Sequence, residues 1–140
     1  GYRRALTEWG LSADPELVAE GDFTEKGGYL PMQQLIARRP EAVFVASDTM
    51  ALGALRAIQE AGLVVPQDIA MVSFDDLPTA ATANPPLTSV HQSPQAHGAL
   101  AVETLLDIVR HGANPIRHVI LPTELVIRAS CGAVQAINAR

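Results

Sequence analysis

The stretch Ala42-Val43-Phe44-Val45-Ala46-Ser47-Asp48-Thr49-Met50-Ala51-Leu52-Gly53-Ala54-Leu55 changes its hydrophobic period partway along. Ala42 to Ala46 is apolar at every position, the pattern of a strand buried on both faces, as in a parallel sheet. From Thr49 onward the apolar residues Ala51, Ala54, Leu55, Ile58 and Ala61 recur at helical spacing, so one helix face must lie on that sheet. Asp48 is the expected N-cap and Gly62 the expected left-handed stop of a helix over Thr49 to Ala61. Leu52 falls off this face. It projects with Arg56 and Gln59, and reads either as a scattered exposed leucine or as a subunit contact.

Working outward, Leu17 to Ala19 and Ile69 to Phe74 repeat the continuous apolar pattern and predict two more buried strands. Helical patterns separate them: Arg3 to Trp9, ended by Gly10, and Glu25 to Arg38, ended before Pro40. Pro31 would delete a hydrogen bond within the second, which predicts a kink at Gly27-Gly28 or a late start. Past Phe74, Asp75-Asp76-Leu77-Pro78 reads as a turn, Thr79 to Ala83 as a short helix, and Asn84-Pro85-Pro86 as forced extended chain. Leu87 to His91 follows as a strand. Ser93 and Pro94 then form the N-cap and first residue of a long helix, Pro94 to Arg110, with a stripe of Ala101, Val102, Leu105, Leu106 and Val109 and with Gly112 beyond its end. Val119 to Leu121 and Leu125 to Ile127 read as closing strands interrupted by Pro122. The order is that of an α/β domain with a parallel sheet and an appended helix and strand.

Composition bounds the function. With 140 residues, 48% apolar and 18% charged, the chain folds around a core and disorder is excluded. A net charge of −5 gives this segment no basic surface of its own for nucleic acid. Cys131 is a lone cysteine, as expected in a reducing compartment, and no apolar run approaches the roughly 18 residues of a membrane span. No signal peptide opens the chain, and Gly1-Tyr2-Arg3-Arg4 reads as the interior of a longer protein. His91, His97, His111 and His118 lack the spacing of metal ligands. No nucleophile motif, P-loop or dinucleotide fingerprint occurs, so no metal, cofactor or catalytic residue is expected.

Ligands of an open parallel sheet sit at the carboxyl ends of its strands. Two strands end in acids here, at Ser47-Asp48 and Asp75-Asp76, and a carboxylate can accept forked hydrogen bonds from vicinal hydroxyls or from the N–H edge of a base. Asp48 has work as an N-cap and Asp76 has work in the turn before Pro78. Asp75 has no comparable local role and is the first candidate for a ligand contact.

The stretch quoted at the outset, together with Gly62-Leu63-Val64-Val65-Pro66-Gln67-Asp68-Ile69, Phe74-Asp75-Asp76, Pro85-Pro86-Leu87-Thr88-Ser89-Val90 and Leu121-Pro122-Thr123-Glu124-Leu125-Val126-Ile127-Arg128, resembles the effector-binding core of the LacI/GalR family of bacterial transcription regulators. The resemblance covers nearly the whole chain. It implies a type I periplasmic-binding-protein-like fold, in which two α/β subdomains joined by crossovers hold an effector in the cleft between them. It assigns residues 1–91 to the C-terminal subdomain, 92–121 to a crossover helix and strand of a mostly absent N-terminal subdomain, and 122–140 to the return strand and tail. It further implies effector contacts at Asp75, Phe23, Ser47 and Gln92, although Phe23 reads equally as core and Gln92 as a hinge residue. Many relatives carry Asn where Ser47 stands and glycine where Ser73 stands, which alters the hydrogen-bonding code. A homodimer is expected through Leu52, Arg56, Ala80 and Ala83, where small alanines allow close approach or simply pack under a loop. The function implied is allosteric sensing in the cytoplasm of a small polar effector, in all expectation a sugar, with operator DNA read by a separate helix-turn-helix domain and no membrane involved. A secreted sugar-binding protein of the same fold and an α/β enzyme are the alternatives.

Overall fold

Where each strand finds its neighbour decides which residues are buried. The computed structural model describes residues 1–112 and 118–133, and among these one four-stranded sheet forms in the order β1-β2-β3-β4. β1 (Ala42–Phe44) and β2 (Ala70–Asp75) are parallel, β2 and β3 (Thr88–His91) are parallel, and β4 (Glu124–Val126) closes the sheet antiparallel to β3. The helices are α1 (Tyr2–Glu8), α2 (Glu25–Ile36), α3 (Asp48–Glu60), α4 (Pro78–Thr82) and α5 (Pro94–His111), with short 3-10 turns at Pro15–Leu17 and Ala129–Cys131. The architecture is the expected α/β one.

The register sorts the side chains into two faces, because paired residues point the same way. Val43 and Met71 share one face with Ser73 and Ser89, and α3 covers it with Ala51, Ala54, Leu55 and Ile58. Ala61, expected on that stripe, is exposed, and Ala57 is buried instead because α2 covers a second side of α3. The other face carries Phe44, Val72, Phe74, Val90 and Leu125, of which Phe44 and Leu125 are half exposed. The expectation of strands buried on both faces therefore holds for one face within this chain.

α2 and α3 touch backbone to backbone. A Cβ built on Gly28 would fall 1.9 Å from the Met50 carbonyl oxygen, and one on Gly53 would fall 1.8 Å from that of Glu25. At the expected kink, Gly28 is thus a crossing point with α3, while a Cβ on Gly27 would meet Asp22. α2 runs from Glu25 to Ile36 with Pro31 inside it, and Thr24 is its N-cap, accepting from the Gly27 N–H at 2.9 Å.

Two expected strands are not formed. Of residues 17 to 19, Leu17 closes a 3-10 turn begun by Pro15 and capped by Asp14, which accepts from the Glu16 N–H at 2.9 Å, and the two that follow join no strand; this leaves β1 at the edge of the sheet. Among the described residues, 119 to 121 pair with no strand, and Val119 and Ile120 are exposed. α5 begins as expected, with Ser93 accepting from the Ala96 N–H at 3.2 Å, and ends at Gly112 with φ +86°. None of its residues is buried, so it does not pack onto the sheet of its own chain. Residues 113–117 of the expected 92–121 segment, and 134–140 of the expected tail, lie outside the described residues.

Candidate functional site

The carboxyl ends of β1, β2 and β3 meet at one edge of the sheet, and the acids there divide into three roles. Asp48 is wholly buried at 0% exposure and is the first residue of α3; Ser47, 4% exposed, takes the N-cap position with extended backbone and no capping side-chain bond. The expected N-cap role of Asp48 is therefore corrected. Its Oδ1 accepts from Ser73 Oγ at 2.5 Å and from Ser89 Oγ at 2.8 Å, and its Oδ2 accepts from the Leu77 N–H at 2.6 Å. A buried carboxylate is tolerable only when donors surround it, and these three come from β2, β3 and the turn after β2. The serine at position 73 finds its use here.

Asp75 and Asp76 both have positive φ, at +106° and +57°, a conformation that side-chain-bearing residues rarely adopt and that Asp tolerates better than most. The double left-handed step turns their side chains to different partners. Asp75 Oδ1 accepts from Gln92 Nε2 at 2.6 Å, so two of the expected effector contacts meet directly at the ends of adjacent parallel strands. Asp76 faces His91 Nδ1 at 3.1 Å and Arg128 Nη1 at 2.7 Å, and its N–H donates to Ser89 Oγ at 3.1 Å. The arginine contact is an ion pair rather than an aligned hydrogen bond; the same Nη1 donates to the Leu87 carbonyl at 2.8 Å. Neither the burial of Asp48 nor the Asp76–Arg128 pair was foreseen from the sequence. The only local hint was the density of acids, serines and a late arginine around strand ends.

Phe23 stands apart. It is 69% exposed, with φ +63°, inside a turn held by Asp22, whose Oδ1 accepts from Thr24 Oγ1 at 2.6 Å and from the Thr24 N–H at 3.0 Å. Those bonds, the hydroxyl first, hold the Asp22 carboxyl below its ordinary range. Phe23 is therefore no core residue in this chain. It lines an apolar cavity of about 300 Å³ with Met32, Val45, Ala46 and Met50, and that wall includes none of Ser47, Asp75 or Gln92.

The expected dimer residues also separate. Ala80 is 0% exposed and belongs to the core, so it lies beneath the surface and not on it. Leu52 and Ala83 are half-buried against that core. Arg56 is exposed and engaged, with Glu25 at 3.1 Å, Glu60 at 3.7 Å and the Tyr29 ring 4.4 Å below its guanidinium. The Tyr29 hydroxyl donates to Glu60, which raises the phenol above its ordinary value.

Among the described residues no group of His, Cys, Asp and Glu could hold a metal, and no helix is long and apolar enough to cross a membrane. Residues 1–131 match the family model of the periplasmic binding protein-like domain. The chain is 39% identical over 132 residues to the ribose operon repressor of Haemophilus influenzae, covering 93% of this chain and 40% of the repressor. It is 46% identical over 120 residues to the HTH-type transcriptional repressor MelR of Bacillus subtilis, covering 84% of this chain and 35% of MelR. The solved complex of the transcriptional regulator CelR with cellobiose superposes with a TM-score of 0.88 at 39% identity, covering 92% of this chain and 40% of that one. The chain thus spans about two fifths of the length of such relatives.

Proposed function

Because the chain belongs to the periplasmic binding protein-like domain family in its LacI-type regulator form, we propose that it is the effector-sensing core of a DNA-binding transcription regulator. The observation that carries this reading is the Asp75–Gln92 pair, a carboxylate and an amide joined at 2.6 Å at the carboxyl ends of parallel strands, in a fold shared with a cellobiose-bound regulator. In that pair the carboxylate retains acceptor capacity for ligand hydroxyls, and the amide fixes its orientation. The effector is a neutral sugar or sugar derivative, with Phe23 offered as a stacking platform and Ser47 at the floor. Residues 1–91 and the return strand form one lobe, and the segment 92–121 belongs to a second. An effector held between lobes acts through its different affinities for their relative orientations, and so sets how a homodimer of the parent protein holds operator DNA in the cytoplasm. No bond is made or broken in this scheme.

The test is a thermal-shift and calorimetric screen of the complete regulator against sugars, sugar phosphates, nucleosides and purines. A saturable response to a neutral sugar, abolished by Asp75→Asn while the ligand-free Tm stays within a few degrees, supports the reading. Undiminished affinity in that variant removes Asp75 from the site.

A further inference from the structure

Asp76, its carboxylate side chain only 13% exposed, is held by two basic side chains, His91 at the end of β3 and Arg128 just past β4. His91 is the last residue of β3, immediately before Gln92, and in register it stands between Asp75 on β2 and Glu124 on β4. Arg128 follows β4, is 20% exposed in its side chain, and is itself fixed by bonds that include Nη1 to the Leu87 carbonyl, its N–H to Thr88 Oγ1 at 2.9 Å, and its carbonyl accepting from Thr88 Oγ1 at 3.2 Å. The turn is also held through its backbone, by Asp76 N–H to Ser89 and Leu77 N–H to Asp48. Every one of these anchors acts on residues 76 and 77. Asp75 itself has a single side-chain bond, to Gln92.

We propose that Asp76 is the positioning residue for Asp75: clamped between His91 and Arg128, it fixes the double left-handed turn that aims the Asp75 carboxylate at Gln92. The inference rests on the reading of Asp75 as an effector contact for its functional meaning, and on geometry alone for its physical content. Asp75 ends β2, in register with His91, and its φ of +106° gives it no wide energy well of its own, so the direction of its side chain depends on how the turn beyond it is held. The Coulomb attraction of Arg128 is little screened at this depth, and the hydrogen bond from a ring N–H of His91 adds direction to it. Removal of the charge at position 76 frees the turn to rotate and uncouples Asp75 from Gln92 without opening the core, because Asp48 still holds Ser73, Ser89 and Leu77.

The experiment is nuclear magnetic resonance on the 140-residue chain, reading the Gln92 side-chain amide. Asp76→Asn keeps the shape and the tolerance for positive φ but loses the charge. Its expected effect is a Gln92 amide shifted toward the free-glutamine position and exchanging roughly tenfold faster, as for loss of one charge-assisted hydrogen bond, while α3 backbone signals stay in place. Arg128→Met repeats the change and Arg128→Lys largely rescues it. His91→Gln, at a half-exposed site that leaves the fold intact, moves the same signal less. A Gln92 amide unmoved in Asp76→Asn, or unmoved in His91→Gln should the first variant unfold, overturns the proposal. No ligand enters the measurement, so a failed ligand screen and a failed clamp are separate results.

Discussion

Phe23 stands on a left-handed backbone inside a turn that Asp22 holds, and that hold depends on charge. The Asp22 carboxylate accepts from the hydroxyl and the N–H of Thr24, bonds that favour its ionised form and lower its folded-state pKa. A group lowered on folding contributes stability above its unfolded value, about 3.9, and loses it as the pH falls through the folded value. Asp22→Asn keeps one acceptor oxygen and removes the titration. Tm against pH is then expected to show the variant below the unsubstituted chain at neutral pH and converging with it below about pH 4. Parallel curves would mean that Asp22 is only a shape. At this scale the sequence was informative where chemistry is local. Asp75 was picked out because a strand-end acid lacked a local partner, and it meets Gln92 just past the end of the adjacent strand. Asp48 was misread because an acid at a strand-to-helix junction looks the same whether it caps or is buried. What buries it are Ser73 and Ser89, which are 25 and 41 residues further along.

Among the elements, α3 is the organising one, and glycines rather than large apolar residues set its distance from α2. Alanine at Gly53 would gain up to about 1 kcal/mol of helix propensity. Its Cβ, however, would fall 1.8 Å from the Glu25 carbonyl oxygen, and overpacking of that kind costs roughly 1 to 3 kcal/mol or more. The steric cost wins, so Gly53→Ala is expected to lower Tm by several degrees. Gly98 in α5 is the internal comparison: a Cβ there meets nothing within 4 Å, so Gly98→Ala should be neutral or stabilise by roughly 0.5 to 1 kcal/mol. Equal effects in thermal melts would deny the crossing its role. The helices were legible from period and caps, since α3 and α5 fall within a residue of their expected limits. The use of Gly28 and Gly53 was not, because a glycine that permits a kink and one that admits a neighbouring backbone are the same letter. Residues 17 to 19 misled for a related reason: an apolar run has strand propensity, but only a paired ladder makes it a strand.

Taken whole, the chain is lopsided. Its core lies between α2, α3 and one face of the sheet, while α5 leaves Val102, Leu105, Leu106 and Val109 exposed, Val109 at 74%, and Leu105 lines a groove of about 350 Å³ together with Ile108, Val119 and Leu121. An apolar stripe of this size calls for a cover, either its own sheet or a second copy of the chain. The first is not seen, since no residue of α5 is buried. Complete burial of a large apolar side chain is worth roughly 1.5 to 3 kcal/mol, and several act together here, so association of two copies through α5 offsets the entropy of pairing at moderate concentration. The face of Leu52, Arg56 and Ala83 offers less, because Leu52 is already half-buried and Arg56 is held by Glu25 and Glu60. Sedimentation velocity on the 140-residue chain separates the two faces. The unsubstituted chain is expected to associate as concentration rises. Leu105→Gln with Val109→Gln is expected to remove most of that association with little change in Tm, because neither side chain belongs to the core. Leu52→Glu is expected to matter chiefly in the complete regulator, where it should give monomers. Full dissociation of the short chain by Leu52→Glu alone would place the contact on α3, and a monomer at every concentration would mean that α5 tolerates its exposure to water.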